Sequence, residues 1–232
     1  MNQIALVVCD IAGTTVADDG HVVRAFQAAL RPHGIALEES VLRPWRGAAK
    51  HEVLRSFIEQ RFGSHAPENA ARVQSAAASF RSHLERSFRE TDVHPIAGAQ
   101  ETFAWLREHG IKIALTTGFD RQLTGIILAK LGWDERLLAA VVCSEEVAQG
   151  RPAPFMIFRA MELAGVCDVR RVMTVGDTVL DLEAGVNAGV AGVIGVLSGA
   201  QGIEQLGKSS HTHLIASIAE LPELLAGLPR PH

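Results

Sequence analysis

The sequence predicts an α/β fold: a parallel sheet covered by helices and interrupted, after its first strand, by an all-helical insertion. Three observations lead there. Short apolar runs rich in β-branched residues recur along the chain, amphipathic helical stretches separate them, and one long segment holds helical patterns only. The 232 residues are 47% hydrophobic and 21% charged, which is the balance of a folded globule and not of a disordered or collagen-like chain. That length suits one such domain carrying an insertion.

Residues 4–9 form the first apolar run, bounded by Asp10 and Gly13, and read as a buried strand. Similar runs follow at residues 111–116, 140–143, 171–175 and 190–197, and helical stretches lie between them at 100–109, 122–131, 155–163 and 180–188. Gly110, Gly132, Gly165 and Gly189 each stand just past an apolar stripe, where a helix ends. Continuous apolar strands alternating with helices imply a parallel sheet buried on both faces. Between about Val16 and Glu90 the rhythm changes. Residues 51–62 put Val53, Leu54, Phe57, Ile58 and Phe62 on one face. Residues 68–88 are Ala-rich, with Ala76, Ala77, Phe80, Leu84 and Phe88 as the side to be buried. The expected organisation is a core domain of residues 1–16 and 91–232 and a helical cap domain of residues 17–90. Asp18 and Asp19 stand where they could cap the first helix of the insertion.

Composition narrows the function. The net charge of −4, with Lys and Arg scattered, leaves no basic footprint for nucleic acid or an acidic membrane surface. No apolar stretch approaches the ~18 residues of a membrane span, and the N-terminus lacks the basic region of a signal peptide. Cys9, Cys143 and Cys167 have no metal-ligand spacing, so a reducing cytoplasm is the expected setting. Among ten histidines, His211-Thr212-His213 resembles a chelating pair but has no third ligand nearby in sequence, and reads as a surface loop. His51 reads as helix surface, and Cys9 as buried packing.

Chemistry is expected at the carboxyl ends of the strands, where open parallel sheets bind ligands. Asp10 ends the first run, followed by the turn residues Ala12-Gly13-Thr14-Thr15. The second ends in Thr116-Thr117-Gly118, suited to holding phosphate oxygens with hydroxyl and backbone donors. Gly150-Arg151-Pro152 brings one cation, and Gly176-Asp177-Thr178 with Asp181 brings two more carboxylates. Taken singly, Asp177 or Asp181 could be a helix N-cap and Arg151 a surface charge. Taken together, hard oxygen donors beside a phosphate-binding cation favour Mg²⁺.

The segments DIAGTTV, LTTG, GRPAP and VGDTVLD resemble, in order, the four motifs of the haloacid dehalogenase superfamily. The resemblance covers essentially the whole chain. It implies a Rossmann-like core with an inserted helical cap and Mg²⁺-dependent hydrolysis of a small-molecule phosphate or phosphonate. Asp10 would be nucleophile and metal ligand, with Ala12 lending its backbone carbonyl to the metal. Thr14, Thr116, Thr117 and Gly118 would bind substrate, and Arg151 would stand where the family usually has lysine. Asp177 would ligate the metal and Asp181 lie at or just beyond it. The resemblance also allows a homodimer through the cap helices.

One departure sharpens the expectation. Phosphatases of this superfamily carry a general acid two residues after the nucleophile, and here that residue is Ala12. General acid catalysis is worth about 10²–10⁴-fold, so phosphate-ester hydrolysis is disfavoured. DIAGTTV is similar in particular to the phosphonoacetaldehyde hydrolase (phosphonatase) family, which needs no acid there. In that family a cap lysine forms a Schiff base with the substrate aldehyde, and the iminium takes up the electrons of the breaking carbon–phosphorus bond. Gly47-Ala48-Ala49-Lys50 matches the family's lysine motif in spacing, and Lys50 is the only lysine before Gly110. Read from the cap alone, Lys50 is a solvated residue at a helix start; it is Ala12 in place of the acid that turns the reading toward function. Arg46 could lower the Lys50 pKa if the turn is helical, and could contact substrate. Arg46, Val53 and Phe119 replace the family's methionine, histidine and tyrosine, which points to a different aldehyde pocket. The alternative is a phosphate-ester phosphatase of phosphoglycolate or sugar-phosphate type.

Overall fold

The computed structural model describes residues 4–42, 45 and 48–227. In chain order the elements are β1 (Leu6–Asp10), α1 (His21–Leu30), α2 (Glu39–Leu42), α3 (Lys50–Phe62), α4 (Asn69–Glu90), α5 (Ala99–Glu108), β2 (Lys112–Thr117), α6 (Arg121–Leu131), β3 (Ala140–Cys143), α7 (Phe155–Ala164), β4 (Val172–Gly176), α8 (Val179–Ala188), β5 (Gly192–Val196), α9 (Ile203–Leu206), β6 (His213–Ile215) and α10 (Leu221–Ala226), joined by short 3₁₀ turns. They form two compact units. One holds the described residues up to Ala17 and from Val93 onward, and the other is Asp18–Asp92.

In the first unit the strands make one parallel sheet in the order β3-β2-β1-β4-β5-β6. Every residue of β1, β4 and β5 is buried, which is why these segments are apolar without alternation. One face packs Leu6, Val8, Ala114 and Val142 against Met156, Ile157 and Ala160 of α7 and Ala184 and Ala188 of α8. From β1 the chain steps outward through β2 and β3, then crosses back to β4 on the other side. That reversal opens a crevice at the carboxyl end of β1. Two further contacts close the core beside it: Val16 pairs antiparallel with Pro95, and the Ala17 N–H donates to the His94 carbonyl at 3.0 Å.

The α/β architecture and its parallel sheet are as the sequence predicts, with one strand more. His213 does not lie in a surface loop. It opens β6, where it sits opposite Ile194, and Thr212 continues the ladder through its N–H and hydroxyl to Val193. A three-residue edge strand with polar flanks is too short to show an alternation pattern.

In the second unit α1 and α3 both pack on α4. Phe26 meets Phe80 at 4.5 Å between ring centroids, and Val53, Leu54, Phe57 and Ile58 are buried as their spacing requires. Ala77 and Phe62 are only half-buried, so the apolar stripes are narrower than expected. Asp18 Oδ1 accepts from the Val22 N–H at 3.2 Å and so caps the start of α1. Buried His21, in the first turn of that helix, lies with its Nδ1 2.6 Å from Ser87 Oγ and its ring 4.6 Å from Phe88. Among the described residues no helix is long and apolar enough to cross a membrane.

Candidate active site

Four separate segments converge at the carboxyl ends of β1, β2 and β4. Asp10 is the last residue of β1 and stands opposite Thr116 in register. Asp177 follows β4 directly, and Asp181 sits in the first turn of α8. Oxygens of these three carboxylates lie within 4.8 Å of one another, and all three residues are buried. Arg151 reaches in from the link between β3 and β4. Its guanidinium contacts Asp10 Oδ1 at 2.6 Å and Asp181 Oδ1 at 2.8 Å, and donates to both the carbonyl and the hydroxyl of Thr116 at 3.0 Å. With 6% of its side chain exposed, Arg151 is no surface charge.

Each carboxylate is oriented by neighbours. Thr178 is the N-cap of α8, and Asp181 Oδ2 accepts from its N–H at 3.0 Å and its hydroxyl at 2.5 Å. This is a reciprocal capping box, so Asp181 closes the helix start with one oxygen while the other faces Arg151. Asp177 accepts from the Thr14 hydroxyl at 3.1 Å and the Ala200 N–H at 2.7 Å. Gly13, at φ +92°, is required here: a Cβ on it would lie 2.5 Å from Asp177 Oδ2.

Three buried carboxylates facing one guanidinium are short of positive charge. Burial pushes the Asp10 pKa up to about 6, with Arg151 pulling it back and the Asp181 charge adding to the rise. Asp177 is pushed up to about 8, by burial first and then by the charges of Asp10 and Asp181. Burial opposes the charge on Arg151, but Asp10 and Asp181 outweigh it and raise its pKa. A cluster of hard oxygen donors with this excess of negative charge could hold a metal ion.

Of the residues expected at the site, Asp10, Thr14, Thr116, Arg151, Asp177 and Asp181 are linked by direct contacts. The Thr14 hydroxyl is turned to Asp177 and not to open space. Thr117, expected to contact substrate, accepts from the Phe119 N–H at 3.1 Å through its hydroxyl. Ala12 and Gly118 flank the cluster in the turns after β1 and β2. Lys50, half-buried, is the first residue of α3 in the helical unit and donates to the Ala48 carbonyl at 3.4 Å. Arg46 and Gly47 lie outside the described residues.

Residues 198–201, after β5, went unread in the sequence. Ser198 donates to the Gly13 carbonyl at 2.9 Å, the Ala200 N–H holds Asp177, and Gln201 accepts from the Val179 N–H at 2.6 Å. At Gly199 a Cβ would lie 2.1 Å from Asp177 Oδ2. The available signal was a Ser-Gly turn at the carboxyl end of a strand.

The family model of haloacid dehalogenase-like hydrolases matches residues 4–189, which include this whole cluster. The chain belongs to that family. It is a haloacid dehalogenase-like hydrolase that is 38% identical to a phosphonoacetaldehyde hydrolase of Parabacteroides distasonis over 56% of its own length, an alignment spanning 49% of that relative. With a phosphonoacetaldehyde hydrolase of Latilactobacillus sakei it shares 34% identity over 82% of its length and 74% of the relative's. Among solved structures, a phosphonoacetaldehyde hydrolase-like protein from Oleispira antarctica superposes with a TM-score of 0.85 at 22% identity, covering 97% of this chain and 92% of the other, which speaks for the fold alone.

Proposed function

We propose that this haloacid dehalogenase-like hydrolase is a Mg²⁺-dependent, phosphonatase-like enzyme that cleaves the carbon–phosphorus bond of phosphonoacetaldehyde or a close analogue. The observation that carries this reading is Ala12. Asp10, Asp177, Asp181 and Arg151 stand together, and two residues after Asp10 there is no acid for a leaving alcohol. Its relatives named phosphonoacetaldehyde hydrolase add support.

The hard oxygen donors Asp10, Asp177 and Asp181, with the Ala12 carbonyl, fit Mg²⁺ as the ion they would hold. Bound there, it would neutralise charge on the carboxylates and on the transferred phosphoryl oxygens. Asp10 would attack phosphorus through a carboxylate oxygen that Arg151 orients, while Arg151 and Thr116 steady the phosphoryl oxygens. Lys50 would first condense with the substrate carbonyl, releasing water. As the oxygen–phosphorus bond to Asp10 forms, the carbon–phosphorus electrons move into the iminium and leave an enamine on Lys50. Protonation and hydrolysis release the aldehyde, and a second water frees phosphate from Asp10.

Borohydride trapping tests this directly. Enzyme incubated with phosphonoacetaldehyde and borohydride is expected to lose activity and carry a reduced adduct on Lys50, located by peptide mass spectrometry. A Lys50→Ala variant that still cleaves phosphonoacetaldehyde would overturn the imine route. Efficient turnover of phosphate esters that survives Lys50→Ala would instead make the chain a small-molecule phosphatase.

A further inference from the structure

We infer that one buried water beneath Arg151 links its guanidinium to the hydroxyl of Thr174, which makes Thr174 a positioning residue for the active-site cation. Thr174 stands in the middle of β4, opposite Val8 and Val193, within the layer where α7 and α8 pack on the sheet. It is 6% exposed, and among the described residues its hydroxyl has no hydrogen-bond partner. A partnerless buried hydroxyl is destabilising, and valine would fill the same shape without that cost. The polar atom therefore calls for a partner that is not a protein group.

A small pocket lies beside it. Its volume is about 10 Å³, near the least that admits one water, and Thr174, Thr116, Arg151 and Asp181 line it together with Val8 and Ala184. The hydroxyl is held at the underside of α8, since a Cβ added at Gly185 would lie 2.4 Å from Thr174 Oγ1. Gly185 is one turn beyond Asp181 on that helix. A guanidinium carries five N–H donors. Nη2 shares its two hydrogens among Asp10 and the two Thr116 oxygens, and Nη1 gives one to Asp181, which leaves the second Nη1 hydrogen and the Nε–H for the water. The water would accept from Arg151 and from the Thr174 hydroxyl and donate to the Asp181 carboxylate, within the two to four partners that hold a buried water. Arg151 would then be fixed from below as well as by its ion pairs.

The kinetic part of the test rests on the function proposed above, whereas the crystallographic part does not. A crystal structure of the wild-type protein is expected to show ordered density within hydrogen-bond distance of both Thr174 Oγ1 and the guanidinium. Thr174→Val is expected to remove that density and lower kcat about tenfold with KM little changed, while Thr174→Ser keeps both. A dry pocket around an ordered Thr174, or a folded Thr174→Val variant with wild-type kcat, would overturn the inference. The wild-type map decides the matter even if the valine variant does not fold. If phosphonoacetaldehyde is not turned over at all, the proposed function fails and the density still reads the water.

Discussion

The two units bury polar groups in opposite ways. In the sheet unit, Asp10, Asp177, Asp181 and Arg151 are withdrawn from solvent within reach of one another, and each is held by charged or hydrogen-bonding neighbours. In the helical unit the interior is otherwise apolar, and its buried polar residues among those described, His21 and Asn69, each make hydrogen bonds within that unit. The difference follows from geometry. Strand ends bring segments far apart in sequence to one edge, so a sheet can concentrate charge. Helices packed side by side offer each other only stripes, and stripes are best filled with Val, Leu, Ala and Phe.

The sharpest way to separate the units is to remove the proposed nucleophile. Asp10→Asn is expected to lower kcat/KM by about 10⁴-fold or more while leaving the circular dichroism spectrum unchanged, measured by phosphate release. Next come two changes of equal size and different origin. Arg151→Met leaves buried carboxylates unopposed and is expected to cost about 3–5 kcal/mol in urea unfolding. Phe80→Ala opens a cavity under Phe26 and should cost about as much, ~3–5 kcal/mol. Added Mg²⁺ should recover part of the first loss and none of the second; equal recovery would erase the contrast.

A smaller effect is expected from Ala12→Asp. It should leave turnover of an alkyl phosphate ester such as 2-phosphoglycolate undiminished or raise it, because it adds a proton donor for the leaving oxygen. A large fall would count against the leaving-group argument.

The slightest effects concern pH, and they run in opposite directions. Without metal, Asp10 and Asp177 have folded pKa values above the ordinary carboxylate value, so the folded sheet unit binds protons that the unfolded chain has lost. Their contribution is complete below about pH 4 and is lost as pH rises through about 6 and about 8. His21 is the reverse: burial, then the Arg24 charge, lowers its pKa. Its contribution is present above the ordinary value of 6.5 and fades as pH falls below that value. Hydrogen exchange with EDTA present should show β1 and β4 loosening toward alkaline pH and α1 and α4 toward acid pH. His21→Gln should flatten only the second trend.

What was legible in the sequence follows the same division. Buried strands such as β1 and β4 declare themselves because both faces must be apolar, and Asp10 and Asp177 stand out because they end such runs. The partners of Arg151 were not legible: a cation in a Gly-Arg-Pro turn says nothing of which acids it will meet. Residues 198–201 hold Asp177 through the N–H of Ala200, a group every residue but proline carries. Lys50 could be singled out by type and spacing, but α1 was not delimited within the helical block. The hydroxyl of Thr174 looked like any β-branched strand residue.

The pairing of Val16 with Pro95, and of Ala17 with His94, has a wider consequence. The chain departs from the sheet and comes back to it at one place, so to the sheet the whole of Asp18–Asp92 is topologically a single turn. Closure entropy rises only slowly with loop length. A junction of this kind is a splice point, where a helical module can be exchanged, shortened or replaced by a few linker residues without rewriting the sheet that carries the carboxylates.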